Sequence, residues 1–522
     1  MTSRPALRQT PAPRAPMPHK VCVATPFALA SALLLQAGAA RASGALEITG
    51  APTSANGLNA RALARGPEAA FFNPALLPFA PATTQAGFFV LVTRGDITLA
   101  PRPPGVDVPE SVYDGQIRNP DGSTSRLTHR PLPGSKLPSP RDDTRDRQIN
   151  SYATLGFVRP LYEDRLVLGF YALLPLRSFQ EQRAFFADER AQYFSNRLEF
   201  ELLGDRLSVT SLAVSMAGRI TRWLSVGAGV DVTIGTSART AVHVPDASDQ
   251  RTALINPDVE VESVFAPYFA FATSPAPWLR LSATLHLASA SDTDGENRIR
   301  FWNTTYPEGE TSVPQAYRLT LGHQPTRVGV GASVMGPPSE DRGGERAARS
   351  KSPAPPVWEI GAHALLTRWS EYRDRHAETP PDPWSSTVSV GLGGAVVLGS
   401  RRVSADVAFT PSPVPDQTGR TNYVDNARLA ASASFETPVS LFGADFGVGA
   451  FLHGQLLVPR EVSKSPSARN PVFDEVPDNL VDIVSGEPLD GVEGLQTNNP
   501  GYPGFSSGGW LAGAGFVLRL PE

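Results

Sequence analysis

The 522 residues include one cysteine, Cys22, close to the N-terminus. The chain beyond it has no disulfide and no thiolate metal site. Charged residues make up only 19% and the net charge is −4, so no basic surface calls for a nucleic-acid partner. No nucleotide-binding motif is present. His129, His243, His286, His323, His363, His376 and His453 have no ligand-like spacing, which leaves no metal and no cofactor to expect. Beyond the N-terminal region no run of roughly 18 apolar residues occurs, which excludes a membrane helix. Glycine (45) and proline (50) are plentiful, yet no stretch reads as a linker between compact halves, so one very large domain is expected.

At the N-terminus, Arg4, Arg8, Arg14 and Lys20 precede the apolar run 21–35, and Ala40-Arg41-Ala42 follows as a small-residue cleavage site. That order defines an export signal over residues 1–42, with an uncleaved anchor as the alternative.

Downstream, period-2 alternation recurs. Leu224, Val226, Ala228, Val230, Val232 and Ile234 alternate with Ser225, Gly227, Gly229, Asp231 and Thr233. The stretches 279–287 and 512–520 repeat the pattern. Alternation alone fits a soluble sandwich as well as a barrel. Connection lengths discriminate better. Strands are expected at 84–99, 149–160, 165–177, 206–219, 223–236, 258–273, 278–290, 316–335, 356–371, 385–398, 401–411, 426–437, 441–458 and 508–520. Tight joins take turns with long polar ones at 100–148, 178–205, 237–257, 291–315, 372–384, 412–425 and 459–507. This rhythm predicts an all-β transmembrane antiparallel barrel of about fourteen strands over residues 84–522, with short periplasmic turns and long extracellular loops. The Pro-rich, charged join 336–355 breaks the rule. Either it is an insertion, or the strand at 316–335 is really two.

Residues 43–83 are small and apolar without clean alternation. Such a segment is disfavoured as a solvated tail and suits a plug inside the lumen. Gly57-Leu58-Asn59-Ala60-Arg61-Ala62, followed by Phe72-Asn73-Pro74-Ala75, resembles the N-terminal hatch of the FadL-type transporters of fatty acids and other hydrophobic compounds. Trp369-Ser370-Glu371-Tyr372 is similar to the W-S-x-F/Y that ends a later strand in that family. The run from Phe409 to Asp416, with Arg428 opening the next strand, is similar to the family's Y-D-x-S-P-V-P-D segment. The resemblance spans the chain from about residue 46 onward and implies fourteen strands around a hatch. In two respects the chain departs from the family: the stretch between Gly57 and Asn73 is short, and the sequence ends Leu520-Pro521-Glu522 without a terminal aromatic.

The resemblance also implies that a hydrophobic ligand lands among the extracellular loops and leaves sideways through the wall near the hatch. Gly169 and Pro175 are the candidate portal, because glycine permits a bulge and proline donates no ladder bond. Pro175 serves equally to end the membrane part of its strand. Asn73 either bonds backbone left unpaired by such a kink or builds an Asx-Pro turn with Pro74 ahead of Ala75. In the loop 178–205, Phe179, Phe185 and Phe186 suit an apolar tail and Arg183 and Arg190 a carboxylate, or else the loop packs on itself. His286 and His453 share the inward phase with many serines but lie in no catalytic motif, so no enzyme is expected.

The expectation is passive uptake of hydrophobic small molecules, long-chain fatty acids or hydrocarbons, across the outer membrane of a Gram-negative bacterium. The barrel would be monomeric, in contact with outer-membrane lipids and lipopolysaccharide. A structural or secretion-associated barrel of the same family is the alternative.

Overall fold

A computed structural model describes residues 44–99, 116–118, 124–126, 146–162, 165–176, 207, 210–244, 254–301, 311–338, 356–373, 379–416, 423–441, 444–463 and 504–521. The expected signal at 1–42 lies outside them.

Fourteen of the strands close into a ring. They are β1 (Thr83–Leu99), β2 (Asp146–Tyr162), β3 (Leu166–Pro175), β4 (Ser211–Arg219), β5 (Leu224–Val244), β6 (Leu254–Ala276) and β7 (Leu279–His286). The second half is β8 (Arg327–Met335), β9 (Trp358–Thr367), β10 (Thr387–Leu398), β11 (Arg401–Thr410), β12 (Arg428–Leu441), β13 (Ala444–Ser463) and β14 (Gly504–Pro521). Every neighbour in the ring pairs antiparallel with the next, and β1 pairs with β14 from Thr83↔Pro521 to Leu99↔Phe505. A closed ladder leaves no edge strand with unpaired backbone.

Two further strands of the same sheet, Ser289–Phe301 and Thr311–Gln324, form a hairpin outside the ring, pairing parallel with the far end of β5 at Thr240–Val244. This corrects two expectations. The single strand expected at 316–335 is two, divided at Pro325-Thr326, and only Arg327–Met335 belongs to the wall. Proline has no N–H to continue a ladder, so the chain turns there. The supposed loop 291–315 is likewise largely hairpin, while β5, β6 and β13 run past their expected ends into the long-loop segments. At the join 336–355 an isolated bridge, Pro338↔Pro356, ties its two ends, and residues 339–355 lie outside the described set. The number of barrel strands is unchanged.

Tight turns mark one end of the ring. At Gly399-Ser400, Gly399 takes φ +61, which suits the two-residue hairpins that fit strand twist.

Burial is inverted relative to a soluble protein. Val226, Phe269, Val330, Ile360, Leu392, Leu452 and Phe516 point outward and are exposed. Thr154, Ser215, Ser225, Asp231, Asp406 and Arg327 point inward and are buried. A continuous apolar exterior on a closed barrel is the surface a bilayer requires. Trp223, Trp278 and Trp358 stand exposed at the short-turn end, where a membrane interface favours amphipathic rings.

Residues 44–82 occupy the lumen. Short helices α1 (Gly44–Thr49), α2 (Ala60–Leu63) and α3 (Ala69–Phe72) are accompanied by 3-10 turns at Gly57–Asn59, ahead of α2, and Pro74–Phe79, after α3. At the end of α1, Gly50 has φ +66 and donates to the Leu46 carbonyl at 2.9 Å, closing the helix as a left-handed cap. Helices this short are not stable alone; burial within the wall holds them.

Candidate functional site

The hatch meets the wall through two unlike faces. Its apolar face carries Phe71, Leu76 and Leu77, all buried with Val167, Tyr171 and Leu173 of β3, Ala213 and Ala217 of β4, and Ala270 and Ala272 of β6, while Phe72 turns under the Arg61 guanidinium. Each such side chain contributes about 1.5–3 kcal/mol when fully buried. Hydroxyls of the wall pin the hatch backbone on this side: Ser225 Oγ donates to the Ala75 carbonyl at 2.6 Å, and Tyr268 donates to the Ala70 carbonyl. Thr53 and Thr154 share a hydrogen bond of 2.6 Å. Phe79, at the end of the last 3-10 turn, lies under the guanidinium of Arg280, 4.3 Å from its ring centre.

The opposite face is polar. Glu47 is bound by Arg61 of the hatch (2.6 Å) and Arg327 of β8 (2.6 Å). Arg65 reaches Glu359 of β9 at 2.7 Å, and Arg402 of β11 binds the same carboxylate. Asp406 of β11 accepts from Asn56 Nδ2 (2.9 Å), Asn59 Nδ2 (3.2 Å) and Ser432 Oγ (3.1 Å). Asn59 also meets His363 Nδ1 at 2.8 Å, and Gln455 of β13 donates to the Ile48 carbonyl at 2.6 Å. Burial alone would push the Glu47 carboxyl upward. The charges of Arg327 and then Arg61 outweigh it and hold the group below the ordinary carboxylate value.

A cavity of about 100 Å³ lies on this polar side, lined by Leu46, Glu47, Arg61, Arg327, His363 and Gln455 among others. Its upper wall is made by Gln324, at the base of the hairpin, and by Thr367, Thr387, Thr410 and Arg428, at the long-loop ends of their strands. Trp369 borders it and belongs to an aromatic cluster at the mouth. There Tyr372 stacks on Trp384 with centroids 3.7 Å apart, Tyr423 meets Trp384 edge-on at 5.4 Å, and Val414 packs alongside. Two motifs far apart in sequence, Trp369–Tyr372 and the run ending at Asp416, therefore converge over the cavity. Arg460 of β13 fixes the second by donating to the Pro415 carbonyl at 2.8 Å.

The sequence-derived candidates fall as follows. Asn73 is fully buried in the hatch, and its Nδ2 donates to the Arg61 carbonyl at 2.8 Å. It thus ties hatch to hatch, rather than capping a kinked strand. Pro74 opens the next 3-10 turn, and Ala75 is held by Ser225. At Gly169 the wall is unbroken: it pairs with Val158 of β2 and Ser215 of β4 in continuous ladders. The glycine is needed for closeness, since an added Cβ would lie 2.7 Å from Leu77 Cδ1 and 3.1 Å from Ala70 Cβ. Pro175 pairs with Tyr152 and ends β3. Phe179, Arg183, Phe185, Phe186 and Arg190 lie outside the described residues. His286 stacks on Tyr268 at 4.7 Å, and His453 meets Gln455 at 2.9 Å; both are part of the lumen packing.

Sequence reasoning missed the ionic contacts of the polar face. Glu359 and Asp406 carried the available signal, as charges on the inward phase of otherwise apolar or small-residue strands.

Closed wall, apolar exterior and lumen-filling hatch define the class: a fourteen-stranded membrane barrel with an internal plug. No family model matches the chain, and no curated protein matches it. Among solved structures it is similar to a Pseudomonas aeruginosa FadL homologue, at 14% identity, with 92% of this chain and 99% of that chain covered and a TM-score of 0.49. It is also similar to the P. putida toluene transporter TodX (11% identity, 91% and 98% covered, TM-score 0.45). The Ralstonia pickettii toluene transporter TbuX gives 11%, 92% and 99%, and 0.42. With TM-scores below 0.5, the fold rests on the chain's own strand ladders.

Proposed function

We propose that this barrel passively carries hydrophobic small molecules, long-chain fatty acids or hydrocarbons, across the outer membrane of a Gram-negative bacterium. The observation that carries the reading is a cavity placed between an aromatic mouth and a hatch that fills the lumen. Half-buried Trp369, backed by the buried stack of Tyr372 on Trp384, suits contact with apolar solutes, and the cavity it borders reaches the hatch. A hatch in the lumen suits a conduit that must stay shut to polar solutes. The names of similar solved structures, two of them toluene transporters, agree with this reading. Residues 1–42 act as the export signal, and the mature barrel sits as a monomer among outer-membrane lipids and lipopolysaccharide. Sideways exit at β3 would require the Val158–Gly169–Ser215 pairing to part.

Uptake of labelled long-chain fatty acid and of labelled toluene should be faster in cells carrying the gene than in cells lacking it. Equal rates with normal barrel assembly would sink transport. They would favour a purely structural barrel, a reading supported by a cavity well below the roughly 300–1,000 Å³ usual for ligand sites.

A further inference from the structure

We infer that the hatch parts from the wall along its polar face, against β8–β13, while its apolar face against β2–β6 stays anchored. The cavity bounded by Glu47, Arg61 and Arg327 is then the upper end of the passage. This inference rests on the transport reading only for its purpose; the movement is testable without any cargo.

Three observations carry it. First, the two described cavities that touch the hatch both lie on this face. The larger borders β8–β13, and a smaller one of about 10 Å³ lies between Asn56–Leu58 of the hatch and Ser404, Ser432, Ser434 and His453. Closeness does not separate the faces; the cavities do. An added Cβ would lie 2.7 Å from Leu77 at Gly169 and 2.8 Å from Ala75 at Gly227, but also 2.7 Å from Leu63 at Gly361 and 2.6 Å from Asn59 at Gly391. Second, the contacts differ in what replaces them. Partners of Asn56, Asn59, Arg65 and Gln455 are polar, and incoming water can take their place at small net cost. Phe71, Leu76 and Leu77 have no such substitute, and exposing them loses the hydrophobic gain outright. Third, the wall itself offers no alternative at β3, where the ladder is continuous on both sides of Gly169.

The test uses the protein in lipid vesicles, with Cys22→Ser if that residue persists, and entry of a small neutral sugar as the probe. Glu47→Gln with Glu359→Gln removes the two carboxylates that hold Arg61, Arg65, Arg327 and Arg402. Sugar entry should rise at least tenfold, about the population shift expected from losing even one charge-assisted hydrogen bond. Two disulfides then assign the moving face. Ala62→Cys with Gly331→Cys staples the hatch to β8, where an added Cβ at 331 stands 3.1 Å from Ala62 Cβ. Thr53→Cys with Thr154→Cys staples the anchored face, where the two hydroxyls are 2.6 Å apart. Oxidation of the first pair should abolish the rise, and reductant should restore it. Oxidation of the second should change nothing. The opposite pattern, block by both, or block by neither overturns the inference.

If a cysteine pair prevents folding, two single variants replace it. Ser404→Cys on the polar face should react with a water-soluble thiol reagent about tenfold faster than Ser225→Cys on the apolar face. Equal or reversed rates would overturn the inference. Failure of fatty-acid and toluene uptake, with these results intact, would remove the transport reading alone.

Discussion

Against β2–β6 the hatch offers Phe71, Leu76 and Leu77; against β8–β13 it offers Glu47, Asn56, Asn59, Arg61 and Arg65. One interface is mainly apolar and resembles the core of a soluble domain. The other packs Ala62 and Leu63 against Gly331 and Gly361 but is otherwise a set of directional polar contacts beside cavities. Apolar packing is held by exclusion of water, whereas polar pairs remain satisfied when water enters. The same forty-residue segment can therefore be fixed on one side and releasable on the other.

The comparison is broken most severely by filling the room at Gly227. A Cβ there would lie 2.8 Å from the Ala75 nitrogen and from Pro74 atoms, and hatch backbone cannot swing aside as a side chain does. Gly227→Leu is expected to expel the hatch or block assembly, read as loss of the compact folded band and rapid proteolysis of residues 44–82. Next in size is Phe71→Ala, which removes a ring in edge contact with Phe72 at 4.9 Å. It should cost about 3–5 kcal/mol in thermal or denaturant unfolding and leave sugar entry unchanged unless the anchored face gives way. Asn73→Ala loses the bond to the Arg61 carbonyl and should cost about 1–3 kcal/mol, with a looser α2 in hydrogen exchange.

The smallest effect is in pH. Glu47 titrates below its ordinary value in the folded protein, so its contribution is complete above the unfolded carboxylate pKa near 4.5. It is lost as pH falls through the lower folded value. Sugar entry through the native protein should stay low at pH 7 and at pH 5 and rise only in stronger acid. In Glu47→Gln that acid-induced step should shrink.

Much of the wall was legible because its alternation has a simple cause: a strand in a bilayer must show lipid one face and the lumen the other. Leu224–Ile234 and Leu279–Leu287 sort their residues as expected, and alternate short and long joins gave the correct number of barrel strands. The hairpin at Ser289–Gln324 escaped because a β-ribbon outside the ring alternates by the same rule as a strand of the wall. Only Pro325-Thr326 separates its second arm from β8. The hatch was legible as a segment, through its small apolar residues and Asn73-Pro74-Ala75. Its partners were not, because Arg61 with Glu47 and Arg327, or Arg65 with Glu359, meet only when the barrel closes. Gly169 shows the same limit. Glycine in a strand signals either a break or a close approach, and only the position of Leu77 decides between them.

The central claim, that residues 44–82 are what closes this barrel, is tested most directly by removing them. Protein lacking that segment, refolded into vesicles and verified as a β-barrel, should admit a small neutral sugar far faster than the full chain. Unchanged entry by a correctly folded barrel would contradict the account.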